Sequence, residues 1–233
     1  AGGIYAQSAI FVISPALAAD GQPFAVYDSL LPQPLTASGE PTARYSGGEQ
    51  KASTALYALL AAAYSKVSQP ATADSPTPPL LLLGFSKGGI VLNQILAERA
   101  AASDERTDGA SALLRRIAQV HYLDAGSQSR GAHLTDPAVV DALARCSSPP
   151  SICLHGTPRQ WRDPQRRWLA DEKDRSVKML VAAGLHVRER EYFVDEVGAA
   201  DGGNVAPLDR MVGLSMHFRC VDQFALDLAG WCT

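Results

Sequence analysis

A chain of 233 residues that is 46% hydrophobic with a net charge of −3 has enough apolar material for one full core, and no cationic surplus to hold nucleic acid or an anionic membrane. Its four cysteines, Cys146, Cys153, Cys220 and Cys232, lack metal-ligand spacing and are too few for a disulfide scaffold. That reads as a reducing compartment, with a Cys220–Cys232 pair as the alternative.

No apolar run approaches the roughly 20 residues that span a bilayer. Residues 10–19, IFVISPALAA, end like a signal peptide but have no basic leader, and they read as strand instead. No cofactor or metal motif occurs.

In chain order, AIFVISP (9–15) is β-branched, ends at Pro15 and reads as a strand buried on both faces. Residues 20–47 are rich in Pro, Gly and Ser and read as a long loop with a short extended piece at FAVYDSL. The alanine-rich stretch 49–67 reads as a helix, and 68–79 as a proline-laden surface connection. A strand over 80–84 and a helix over 89–102 follow, then a polar loop around 103–109. IAQVHYLD (117–124) and SICLHG (151–156) read as strands.

Between and after these strands, 135–146 is a helix opened by Asp136 and Pro137. Residues 163–184 form another, capped by Asp163 and ended by Gly184. Residues 186–197 give a last strand. A terminal helix over 217–231 carries Phe218, Val221, Ala225 and Leu228 on one face. Strands alternating with helices imply an α/β fold: one domain over 1–233, with a mainly parallel sheet covered by helices on both faces.

The stretch LLLLGFSKGGIVLNQIL (80–96) carries the chemistry. Gly84-Phe85-Ser86-Lys87-Gly88 fits G-x-S-x-G, and between an apolar strand and a helix that pattern is a nucleophile elbow. Ser86 needs a tight strand-to-helix turn, so Gly84 and Gly88 remove side chains that would collide with it. The helix N-terminus then favours developing negative charge, and the Lys87 N–H is one oxyanion donor.

A serine nucleophile needs a base and an orienting acid, in the chain order Ser, acid, His. His217, ahead of the terminal helix, stands where the base belongs. His121 lies inside a strand, and His133, His155 and His186 are the other candidates. Two carboxylates fit the acid. Asp124 ends the first strand after the nucleophile helix, and Asp163 follows the second. Asp163 in Asp-Pro is also a helix start in its own right.

GFSKGGIVLNQ, HYLDAG, HGTPRQW and the late MHF together resemble the α/β-hydrolase-like family of the human "chromosome 2 open reading frame 69" mitochondrial protein. The likeness runs over most of residues 9–220, and GFSKG followed by VLNQ is its most specific part. It implies an α/β-hydrolase-like fold, serine-hydrolase chemistry on a small-molecule acyl ester or thioester, and a mitochondrial location where the chain alone would read as cytoplasmic. By motif it carries over Ser86 as nucleophile and Asp124, Asp163 and His217 as triad candidates.

Members of that family have an earlier strand and glycine-containing loop, which in this fold gives the second oxyanion donor. Residues 1–79 read as holding a single strand, so the expectation is a domain incomplete at its N-terminal side. One edge of its sheet should then lack neighbours, and Lys87 should be the sole clear oxyanion donor. The second class of function is therefore a non-catalytic protein that keeps the elbow for packing or for binding a partner.

Overall fold

The leucine run, two later apolar runs and a charged strand at the far edge pair with one another. The structure is a computed structural model; it describes residues 9–17, 25–67, 78–196 and 209–227. A two-residue antiparallel pair, β1 (Ala16–Leu17) with β2 (Ala25–Val26), precedes helix α1 (Lys51–Val67). The main sheet then runs β3 (Leu80–Phe85), β4 (Ile117–Leu123), β5 (Ser151–Gly156) and β6 (Val187–Glu191), all parallel and side by side in sequence order. The α/β reading holds in this form.

Parallel neighbours need a crossover, and right-handed crossovers between successive strands put their helices on one face. These are α2 (Gly88–Ala101) and α3 (Gly109–Arg115), then α4 (Pro137–Ala144), then the short α5 (Pro158–Trp161) and α6 (Arg167–Ala182). Helix α7 (Arg210–Asp227) packs on β4 and β5. Side-chain alternation along β4 shows that it lies on the other face. Tyr122 donates to Asn93 Oδ1 of α2 at 2.7 Å, whereas its neighbour His121 lies 5.3 Å from the Phe224 ring of α7.

Every residue of α2 from Gly88 to Arg99 is buried, so its polar side chains must find partners inside. Asn93 also donates to the Gly131 carbonyl at 2.9 Å, and Gln94 to the Ser46 carbonyl at 2.6 Å. Glu98 does more: its two carboxylate oxygens accept from the Ala52 and Ser53 amides at 2.9 and 2.7 Å. Those amides belong to the first turn of α1, which has no acidic residue of its own there. A helix start needs acceptors for its unpaired N–H groups, and α1 takes them from a neighbouring helix.

Four expectations change. Residues 9–15 form no strand, and Ile10 and Val12 are 79% and 85% exposed. Their composition favours an extended chain, but composition supplies no partner strand; Phe11 packs 4.9 Å from the Tyr64 ring. The polar stretch after residue 103 ends in α3, because Asp108 caps it by accepting from the Ser111 amide at 3.0 Å. The terminal helix begins at Arg210, so His217 lies within it rather than before it, and the expected residues 228–231 lie outside the described ones.

The face of α7 also differs. Gly213, Met216, His217, Cys220 and Phe224 are buried, while Phe218 is 59% and Val221 37% exposed. Both sets recur at helical spacing, so periodicity alone favours neither. Cys220 is a buried thiol, and Cys232 lies outside the described residues.

Strand β3, which leads to Ser86, is an edge strand among the described residues, and its Leu83 is 48% exposed. The inner strands β4 and β5 are buried along most of their length.

Glu98→Ala should destabilise the protein by about 2–4 kcal/mol, since it leaves two amides at a buried helix start without acceptors. Urea unfolding checks this, and Glu98→Gln should recover part of the loss by keeping one acceptor oxygen. An unchanged midpoint in Glu98→Ala would remove this cap from the account.

Candidate active site

Three loops leave the C-terminal ends of β3, β4 and β5 close together, which is where ligands gather in parallel α/β sheets. At the first, the chain turns from strand to helix within Ser86 and Lys87. Ser86 has φ +54°, in the left-handed region that costs an L-residue about 1–2 kcal/mol. The Ser86 amide donates to the Leu123 carbonyl at 2.9 Å, and its carbonyl accepts from Gly89 at 3.1 Å. The turn is therefore anchored both to the neighbouring strand and to α2.

Gly84 is required by close approach. A Cβ there would stand 2.5 Å from the Leu92 side chain and 2.7 Å from the Gly88 carbonyl. Gly88 differs from expectation, because a Cβ on it would meet only the Tyr27 hydroxyl at 3.9 Å. The elbow needs Gly84 bare so that Gly88's backbone can pass over it. Ser86 itself is partly exposed and reachable from solvent.

Lys87 follows as the residue before the first turn of α2. Its ammonium donates to the Ser38 carbonyl and lies 3.4 Å from Glu40 Oε1. Glu40 is buried, and the same oxygen accepts from the Gln128 amide at 3.1 Å. The loop around Ser38–Glu40 is thus strapped to the elbow and to the segment after β4. Nothing in the sequence pattern marks Glu40, which sits among prolines and glycines far from the motif.

At the second loop Asp124 also adopts a left-handed backbone, φ +45°, and is fully buried. Its Oδ1 accepts from the Thr157 amide at 2.7 Å, and its Oδ2 from the Thr157 hydroxyl at 3.1 Å. The His217 Nδ1 lies 2.6 Å from Oδ2, a short charge-assisted contact. A carboxylate only accepts, so Nδ1 is the donor and Nε2 is the basic nitrogen. The imidazole packs with its centroid 4.5 Å from the ring of Phe85, the residue before Ser86, and 5.5 Å from that of Phe218.

Asp163 is placed otherwise. It accepts from the Gln165 amide at 2.9 Å at the head of a 3₁₀ turn and pairs with Arg166 at 2.8 Å. Asp124 and His217 are therefore brought together, and Asp163 serves its helix start. Thr157 and Gln160, which holds the Asp124 carbonyl at 3.3 Å, complete the acid's surroundings. Neither residue type signals this role in a sequence; only their place just after a strand end hints at it.

The remaining histidines go elsewhere. His121 Nδ1 is 3.1 Å from His155 Nε2, and His155 Nδ1 is 3.0 Å from the Tyr192 hydroxyl, a buried chain lying under Phe224. His133 is buried beside Glu172, whose carboxylate accepts from the Gly131 and His133 amides at 2.9 and 2.8 Å. His186 is exposed just before β6. Among the described residues, no group of three or more His, Cys, Asp or Glu side chains could hold a metal ion. No described helix is long and apolar enough to cross a membrane.

Burial, and then the nearby Arg188, push His121 down to about 4. Burial, then His121 and Arg188, take His155 to about 3, and burial, then Lys173, takes His133 to about 3. Each folded value lies below the unfolded one near 6.5, so as pH falls the unfolded chain takes up protons first. Stability should be whole above about pH 6.5 and decline from there towards pH 4, by up to about 1.4 kcal/mol per pH unit for each histidine. Urea midpoints at pH 7.5, 6 and 5 measure it; a level profile would show that these histidines are not buried neutral.

Comparison with known proteins places this geometry in context. The model of the C2orf69 family matches residues 36–186, which include Ser86, Lys87, Asp124 and Asp163 but not His217. The zebrafish (Danio rerio) "Mitochondrial protein C2orf69 homolog" is 33% identical over 147 residues, 62% of this chain and 38% of that protein. The human "Mitochondrial protein C2orf69" is 35% identical over 117 residues, 49% of this chain and 29% of that protein. The mouse homolog is 34% identical, over 49% of this chain and 31% of that protein. The chain thus spans about a third of the length of the curated relatives it matches.

Proposed function

The chain belongs to the C2orf69 family, and from that premise we propose that it is an α/β-hydrolase-like serine hydrolase acting on an acyl ester or thioester, in the mitochondrion that the relatives' names carry. The observation that carries the reading is the 2.6 Å contact of His217 Nδ1 with Asp124, on an imidazole packed against the neighbour of a left-handed Ser86.

In this mechanism Ser86 Oγ attacks the substrate carbonyl while His217 Nε2 takes its proton. Asp124 fixes the tautomer that leaves Nε2 basic and stabilises the imidazolium that forms. The tetrahedral oxyanion is met by the Lys87 N–H and the positive end of α2. Collapse expels the alcohol or thiol, which takes the proton back from His217, and the acyl group stays on Ser86. Water then repeats the sequence and releases the acid. Asp163 takes no part.

A fluorophosphonate probe should label the protein at Ser86, and Ser86→Ala should abolish labelling. With any ester that is turned over, Asp124→Asn should lower kcat steeply, on the order of 10⁴-fold, because the amide favours the wrong imidazole tautomer. Asp163→Asn should keep the helix cap and lose only its partly exposed pair with Arg166, leaving kcat unchanged and stability within about 1 kcal/mol. A folded protein that resists the probe would instead favour the non-catalytic, partner-binding reading, and equal mild effects at both aspartates would remove the triad.

A further inference from the structure

The cations around the acid are unevenly matched. Arg162 lies on Glu191 at 2.7 Å and Arg166 on Asp163 at 2.8 Å, each with its own carboxylate. Arg159 is different. It stands on α5 between Thr157 and Gln160, the two residues that hold Asp124. Its side-chain Nε is shielded from water and makes no hydrogen bond among the described residues. It is within electrostatic reach of Asp124 and Asp163 and of the like charges on Arg166 and Arg210.

That arrangement is unfavourable as it stands. Burial first, and then the charge on Arg166, weigh against the charged guanidinium, ahead of the pull from the two carboxylates. Arg159 as a whole is only partly buried, but its shielded Nε is a donor left without an acceptor, which is costly. A residue kept only for packing could be apolar here, since the α5 backbone already accepts Arg166 through the Arg159 carbonyl at 2.9 Å. An anion arriving beside Arg159 would supply the missing acceptor and relieve the repulsion from Arg166 and Arg210 together.

We propose that Arg159, with Arg210 from the start of α7, forms the recognition site for an anionic group carried by the substrate of Ser86. The group is a carboxylate or a phosphate, which share the planar, two-oxygen edge that a guanidinium fork binds. The proposal rests on the serine-hydrolase reading and narrows it from acyl esters in general to acidic ones. Asp124 stays occupied by Thr157 and His217, so the arriving anion takes the arginine edge that the acid leaves open.

The test compares three probes on the whole chain: 4-nitrophenyl butyrate, 4-nitrophenyl hemiglutarate, and the butyryl thioester of phosphopantetheine. One acidic probe should exceed the neutral ester by about tenfold or more in kcat/KM, mostly through KM, as one charged hydrogen bond supplies. Which one wins separates carboxylate from phosphate. In Arg159→Gln that ratio should collapse towards one, Arg159→Lys should keep part of it, and the distant exposed Arg175→Gln should leave it unchanged. Melting temperatures confirm that each variant folds. Ser86-dependent fluorophosphonate labelling with no acidic preference, or a preference that survives Arg159→Gln, overturns this inference alone. Absence of labelling overturns the hydrolase reading and this one with it.

Discussion

The carboxylate of Asp124 is the junction on which the site depends. It is fully buried at the end of β4, where it would be costly without partners, and its donors come from two other elements. Thr157 reaches it from the end of β5 with both amide and hydroxyl, and His217 reaches it from α7 on the far face of the sheet. Remove α7 and Oδ2 loses its shortest contact; displace the loop after β5 and Oδ1 loses its amide. Helix α7 offers the sheet two apolar stripes at the same spacing, so burial alone does not fix its rotation. The bond to Asp124 and the packing of Phe224 on His121 and His155 select the face that is buried. Here a polar contact sets specificity and apolar contacts supply adhesion.

Around Ser86 the constraint is steric rather than electrostatic. The left-handed turn is held because Gly84 lets Gly88 pass at contact distance and because α2 is enclosed on all sides. Enclosure presses the polar groups of α2 to find partners, and the helix turns this to use, although Gln94 Oε1 and two Arg99 nitrogens have none among the described residues. Glu98 starts α1, Asn93 holds the segment at Gly131, and Gln94 holds the one at Ser46. The strap from Glu40 to Lys87 adds a connection from the loop region to the elbow. Backbone strain at Ser86 and Asp124 is thus carried by a frame that leaves little room to relax.

The elbow was legible in the sequence because all its determinants are local: an apolar strand, two glycines, a serine and a helical pattern fall within one short stretch. The four-strand alternation was legible for the same reason. Which of Asp124 and Asp163 meets His217 was not, since both follow a strand end and only the partner across space tells them apart. The expectation for His217 rested on its lateness in the chain, and the helix holding it begins earlier than its apolar spacing suggested. Residues 9–15 show the limit most plainly. Ile, Phe and Val at 10–13 favour an extended backbone, but whether an extended segment joins a sheet depends on an edge elsewhere. Thr157, Gln160 and Arg159 carry no motif at all and become visible only through what they touch.

The order of β3, β4, β5 and β6 in space repeats their order along the chain, which has a temporal meaning. Along the chain each strand after β3 follows the strand it pairs with, so the sheet can grow by accretion. Ser86 and Asp124 are laid down in this first stage. His217 arrives only with α7, the last described element, after all four strands are in place. On this order of assembly Ser86 and Asp124 lie ahead of the helix whose His217 reaches the carboxylate. Docking of α7 is then the step at which the buried Asp124 carboxylate gains its His217 partner.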